Sequence, residues 1–287
     1  MAKLVFADAH GHSNPVIGMG ASRIAERFRR AGGWFMALVA LSPRHYGLDR
    51  HDLEGYRRVY DLHVSECRAA REAGLRVSCL AGMHPADVDF LINKARMKPL
   101  EVLDLGRRIV DLAAEYCRKG LLDGVGEVGR QHYATKPSHV VVAQRIMEYA
   151  MLRAREEGFI LHLHLENDGA FTPRDVADLA ARLGVPRNLV FLHHARPGVL
   201  EYGVELGLPS TAPGLEPVLR TAFARAGDRF MVESDHIDDP GRPGTVVYPW
   251  EMASNQTRLL EQGVVDEDSL HRVNVDNIVR YYGVEPP

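Results

Sequence analysis

What most constrains this chain is its alternation. Eight short apolar runs, at 3–8, 34–41, 75–82, 121–127, 159–165, 188–194, 206–211 and 229–234, are spaced along 287 residues. Between them, apolar positions recur at helical spacing over 21–32, 51–74, 99–120, 138–158, 172–184 and 214–227, with a last helical region over 250–282. Glycines close several of these segments, as at Gly32–Gly33 and Gly74, where a helix is expected to stop. The runs are continuously apolar rather than alternating, so both faces of each strand are expected to be buried. That implies a parallel sheet covered by helices. Eight βα units fit an α/β fold of the closed (β/α)8 TIM-barrel type, in one domain over 1–287. An open, doubly wound sheet is the alternative.

A barrel of this type keeps its chemistry at the C-terminal ends of the strands. Those ends can be read in turn. The first run leads into "DAHGHS", with His10 and His12; the third into "AGMHP", with His84; the fourth into "GVGEVG", with Glu127. The fifth gives "LHLHLEN", with His162 and His164, the sixth "FLHHARP", with His193 and His194, and the eighth "VESDHIDDP", with Glu233, Asp235 and His236. A lone histidine at a strand end is usually a satisfied polar residue. Imidazoles and carboxylates at the same end of six strands point instead to a shared centre. Their mixture suits divalent Zn, Mn, Fe or Co, with Mg favouring more oxygen. A spare carboxylate suggests two ions that share it and activate water for hydrolysis.

The series DxHxH, HP, GExG, H, H, D resembles the TatD-related metal-dependent hydrolases of the amidohydrolase superfamily, and the similarity runs through "RVNVDNIVRYYG" near the C-terminus. The resemblance implies His10 and His12 on one metal, Glu127 bridging, His164 and His193 on the second, and Asp235 beside the reactive water as catalytic acid or base together with Glu127. It also implies a phosphodiester substrate of the deoxyribonuclease kind. The pattern is broken in three places. "GEVGRQ" has Gln131 where an acid is expected, strand five reads "HLEN" and strand six "HHARP". The metal chemistry is untouched by these departures, whereas the substrate is opened to a small-molecule amide, lactone or other ester. A barrel that holds metal without turnover is the reading from outside enzymology.

Substrate groups are expected on the loops: His84, Arg130 and His132 first, with the Gly- and Pro-rich segment 236–250 long enough to cover the site. His84 also reads as a turn histidine. His162 lies deeper in its strand and reads as core; His194 should point away from its neighbour unless the strand ends in a bulge. Asp8 and Glu233 read as acids that orient ligand histidines. "GVGEVG" spells GxGxxG, but no helix follows at once, so a dinucleotide site is rejected and the glycines are expected to let the backbone pass near the metals. The formal charge of −3 gives no bulk attraction to nucleic acid. Three cysteines without pattern, and no signal peptide or membrane span, point to a reducing, cytoplasmic setting with buried thiols.

Overall fold

The computed structural model describes residues 4–242 and 246–287. Lys3 of the first apolar run, and 243–245 in the middle of the expected covering segment, lie outside the described residues. Eight strands form: β1 (Phe6–Gly11), β2 (Gly33–Val39), β3 (Arg76–Leu80), β4 (Gly124–Gly129), β5 (Ile160–His164), β6 (Val190–Leu192), β7 (Thr211–Pro213) and β8 (Met231–Glu233); seven lie for half their length or more on the expected runs, whereas β7 begins only at the last residue of the run 206–211. The helices between them are α1 (Ala21–Arg30), α2 (Leu53–Glu72), α3 (Pro85–Asn93), α4 (Pro99–Arg118), α5 (Pro137–Glu157), α6 (Phe171–Leu183), α7 (Pro197–Glu205) and α8 (Glu216–Ala226). After β8 come α9 (Pro249–Glu261), α10 (Glu267–His271), a π-helical turn at Arg272–Asp276 and α11 (Asn277–Tyr282). No described helix is long and apolar enough to cross a membrane.

Six strands form one parallel sheet in the order β1-β2-β3-β4-β5-β6, and β7 and β8 pair separately. The order never reverses, which removes the doubly wound alternative, since that fold turns back at a switch point. A single bridge, Leu192 to Ser210, leads from β6 towards β7. At the other end, Asp235 N–H donates to His10 O at 2.9 Å and His12 N–H to His236 O at 2.9 Å, so the chain after β8 runs beside β1. The sheet is therefore curled. Its outer face packs on the helices through residues such as Met36, Leu38, Val125, Leu161 and Val232. Its inner face forms a second, smaller core in which Ala7, Phe35, Val39, Leu80, Phe191 and Met231 meet Ile278 from the C-terminal helix.

The glycines of β4 serve the neighbouring strand rather than a metal. A Cβ at Gly124 would lie 2.5 Å from Ile160 O, at Gly126 2.8 Å from His162 Cβ, and at Gly129 1.9 Å from His164 O. They let β4 and β5 approach, which corrects the expected reason for the motif. The cysteine expectation also changes. Cys67 on α2 and Cys79 on β3 are joined in a disulfide, while Cys117 is free. The burial expected of Cys67 and Cys79 is present, but their pairing is created by the packing of α2 on β3 and leaves no spacing signal.

Candidate metal centre

The strand ends converge on a cavity of about 380 Å³ that His12, Glu127, His164, His193 and Asp235 line together. Glu127 is its hub. The ladder between β4 and β5 breaks register between Gly126 and Val128, at Glu127 itself. Oε1 lies 3.0 Å from His10 Nε2, 3.4 Å from His12 Nε2 and 3.9 Å from His193 Nε2. Oε2 lies 2.9 Å from His164 Nδ1 and 3.2 Å from His84 Nε2. Asp235 Oδ1 closes the ring at 3.6 Å from His12 and 3.9 Å from His193.

Hydrogen bonds behind the rings decide which nitrogen faces the cavity. His12 Nδ1–H donates to Val39 O at 2.8 Å, so the lone pair is on Nε2, towards Glu127 and Asp235. His193 Nδ1–H donates to Glu233 at 2.9 Å, so its Nε2 faces inward as well. His84 is the opposite case. Its Nδ1 accepts the N–H of Ala86 at 3.0 Å, capping α3, so its Nε2 carries the proton and turns it towards Glu127 Oε2, 3.2 Å away. His84 is thereby distinguished from the ligand candidates. His194 turns back with φ 53° and sets Nδ1 2.9 Å from Asp235 Oδ2, supporting that carboxylate rather than facing Glu127.

The donor set fits a divalent cation. Glu127 Oε2 and both nitrogens of His164 are buried without a hydrogen-bond partner, though Oε2 and Nδ1 stand only 2.9 Å apart. Burial alone would raise Glu127; the histidines around it outweigh this and hold its carboxyl well below the ordinary carboxylate value. Asp235 is likewise held down against burial by His12 and His194. Burial lowers His12, yet Asp235 and Glu127 together lift it to about 10, so the point between the two carboxylates demands positive charge. His10, His12, Glu127 and Asp235 offer ligand atoms all within 4.8 Å of one another. His164 groups with Glu127 and His84, while His193 groups with Asp235 and His194 and, separately, with His10 and Glu233. The first centre is thus drawn together more closely than the second.

Of the substrate candidates, His84 and His132 line the cavity, His132 with its ring 4.6 Å from that of His164. Arg130 is a correction. Its guanidinium is held by Glu166 at 2.6 Å and Asp175 at 2.5 Å and serves as a strut between β4 and α6. Gln131 donates to Asp89 at 2.8 Å, where an acid would be repelled, and Asn167 accepts the N–H of Arg196 at 2.9 Å. The departures from the family pattern hold one another in place. Sequence reasoning missed Arg44 and His45, which line the same cavity from a 3₁₀ turn after β2. The signal in the sequence is "SPRHYG" at 42–47, directly after the second strand.

A family model described as TatD related DNase matches residues 7–283. The uncharacterized protein MJ1127 of Methanocaldococcus jannaschii is 28% identical over 99% of this chain and 98% of its own length. Among solved structures, the TatD-like protein AF1765 from Archaeoglobus fulgidus superposes with a TM-score of 0.65 at 16% identity, covering 97% of this chain and 100% of its own. A mutant PTE-like lactonase from Deinococcus radiodurans gives 0.63 at 16% identity over 98% and 97%. The phosphotriesterase homology protein of Escherichia coli, complexed with phosphate in its active site, gives 0.62 at 14% identity over 98% and 100%. With the family model covering nearly the whole chain, the protein belongs to the TatD-related family of metal-dependent hydrolases.

Proposed function

We propose that this chain hydrolyses a phosphoester, with a phosphodiester as the preferred bond, at a pair of divalent ions held on a closed eight-stranded barrel. His10, His12, Glu127 and Asp235 would hold the first ion, with Glu127, His164 and His193 holding the second. The observation that carries the reading is the shared cavity: the cation-seeking carboxylates of Glu127 and Asp235 line it together with Arg44 and His45. Arginine is the side chain suited to phosphate oxygens. A volume of about 380 Å³ accepts a small molecule or the end of a strand.

When bound, the ions supply Lewis-acid activation of water and offset negative charge as it develops. The residues do the rest. Asp235, fixed by His194, takes a proton from the attacking water and returns it to the departing ester oxygen as the P–O bond breaks. His84 keeps Glu127 ionised and aimed. Glu233 holds the His193 ring, and His132 borders the substrate space. A second reading, ester or lactone hydrolysis, is favoured by the apolar part of the wall, Ala40, Leu41, Ile237 and Val246.

The test is an assay of the protein loaded with Zn, Mn or Co against short DNA strands and an activated phosphodiester, beside a lactone panel, at rising salt. Phosphodiester turnover whose KM climbs with salt is expected, because phosphate binding weakens with ionic strength. Lactone turnover alone, insensitive to salt, would establish the second reading. Turnover of neither class would leave a barrel that binds metal without catalysis.

A further inference from the structure

The C-terminal segment "RVNVDNIVRYYG" (272–283) takes no part in the chemistry above, yet it reaches the metal centre from below. The π-helical turn is fixed by Asn274, whose Oδ1 accepts the N–H of Ala7 at 3.0 Å and whose Nδ2 donates to Gln256 at 2.8 Å. Trp34 Nε1–H donates to Asn274 O at 2.9 Å. From that anchor α11 sends Tyr282 into the inner core, between Phe35 and Phe191, with ring centroids 4.8 and 5.1 Å away.

The Tyr282 hydroxyl is 2.7 Å from Ala9 O and 3.0 Å from His162 Nε2. His162 Nδ1 is 2.9 Å from His10 Nδ1, and His10 Nε2 is 3.0 Å from Glu127 Oε1. Both histidines are fully buried, so each is a neutral ring with one N–H. A carbonyl only accepts, which gives the tyrosine proton to Ala9 O. His162 Nε2–H must then donate to the hydroxyl, leaving its Nδ1 as an acceptor. His10 must donate from Nδ1, and its Nε2 is left with a lone pair facing a carboxylate that also only accepts. Two acceptors 3.0 Å apart call for a cation between or beside them.

We infer that Tyr282 and His162 are positioning residues that lock His10 in the one tautomer able to ligate metal, so that the C-terminal helix sets the metal affinity of a ligand on the first strand. The chain of bonds starts on Ala9 and returns to His10, the next residue, so ring and backbone are fixed together. Without the tyrosine hydroxyl, His162 is free to carry its proton on Nδ1. His10 is then free to place its own on Nε2 and donate to Glu127, in competition with the ion. This inference rests on the metal-centre reading, and its test separates the two.

The experiment is titration of the chelator-stripped protein with Co²⁺ and Zn²⁺ alone, reading affinity from competition with an indicator and site geometry from the Co²⁺ visible spectrum. Tyr282→Phe keeps the packed ring, and His162→Leu removes the acceptor. Each should weaken the first ion's affinity about 10- to 100-fold, the range for partners of metal-bound histidines. His162→Asn, whose side-chain oxygen can accept from His10 Nδ1, should restore most of the affinity and the wild-type Co²⁺ spectrum. Tyr282→Phe and folded His162→Leu that bind within twofold of wild type would overturn the inference while leaving the metal centre intact. So would a His162→Asn protein that is folded yet no better than His162→Leu. Failure of the wild-type chain to bind either ion would overturn the metal reading itself.

Discussion

Asp235 concentrates the chemistry that a single residue can carry here. It stands just past β8 with φ 45°, a left-handed conformation that side-chain-bearing residues adopt rarely. Its partner His194 does the same at the end of β6, with φ 53°. The two meet at 2.9 Å because both strands end in this turn, and the carboxylate is thereby aimed at His12 and His193. Such backbone is tolerated where the surroundings over-determine it, commonly at a functional site. Asp235→Asn keeps the shape and one oxygen donor but loses the basic site. It should cut kcat at least ~10²-fold, the lower range for a positioned acid or base. Metal content should fall much less than in a His10→Ala/His12→Ala double variant. Near-normal turnover by folded Asp235→Asn would remove Asp235 from the mechanism. The residue-level reading of the sequence located this group because strand ends can be read from apolar runs. It could not see the left-handed turn that brings His194 to bear on it, since tautomers, partners and φ angles are products of packing.

At the scale of elements, the loop between β4 and α5 shows how the site is held rather than made. Asp89 on α3 accepts from Gln131 at 2.8 Å, Tyr133 at 3.0 Å, His139 at 2.8 Å and the Thr135 hydroxyl. One carboxylate thus straps residues 131–139 down, and His132 rides on that strap beside His164. None of this was legible in the sequence: Asp89 lies more than 40 residues from its partners. The helix that carries it begins at Pro85 directly after a site histidine, in a stretch too short to announce its period. The short α7 was overlooked for the same reason. The long elements were readable because burial on both strand faces and one helix face leaves a period. Burial pulls the Asp89 carboxyl upward, but its four donors outweigh this and hold it below its ordinary 3.8. A depressed acid contributes stability that is present above its unfolded value and is lost as pH falls through the folded one. The protection of 131–139 against hydrogen exchange, taken relative to the intrinsic rate at each pH, should therefore be high at neutral pH and fall selectively below about pH 4, where unfolded aspartates protonate. Asp89→Asn should show the lowered protection already at neutral pH. Equal exchange in the variant and the parent would mean that the strap is held by something other than this charge.

For the whole molecule, the decisive fact is which strands supply the site. His10 and His12 come from β1 and the residue just after it, Glu127 from β4, His164 from β5, His193 from just after β6 and Asp235 from just after β8. An ion bound between them would tie the first strand to the last. There the sheet has no regular ladder and is carried by the bonds from Asp235 N–H to His10 O and from His12 N–H to His236 O. An unfolded chain cannot gather ligands as far apart in sequence as His10 and Asp235. The Ser234 N–H and hydroxyl, which donate to the Asp8 carboxylate, also join this seam. Binding should therefore act almost wholly on the folded state. At free ion about 100-fold above Kd, one site adds ~2.7 kcal/mol to the stability. For a chain of this size each kcal/mol moves Tm by about 2–4 °C, so saturation of one site should raise Tm by about 5–10 °C. Calorimetry with and without Co²⁺ reads this directly, and the His10→Ala/His12→Ala variant supplies the control. Its Tm should respond by no more than half as much, because both ligands from the first strand are gone and the first ion keeps only Glu127 and Asp235. A rise of the same size in the double variant would place the stabilising ion elsewhere on the molecule. No rise in the wild-type chain would mean that the seam between first and last strand is closed by hydrogen bonds and packing alone.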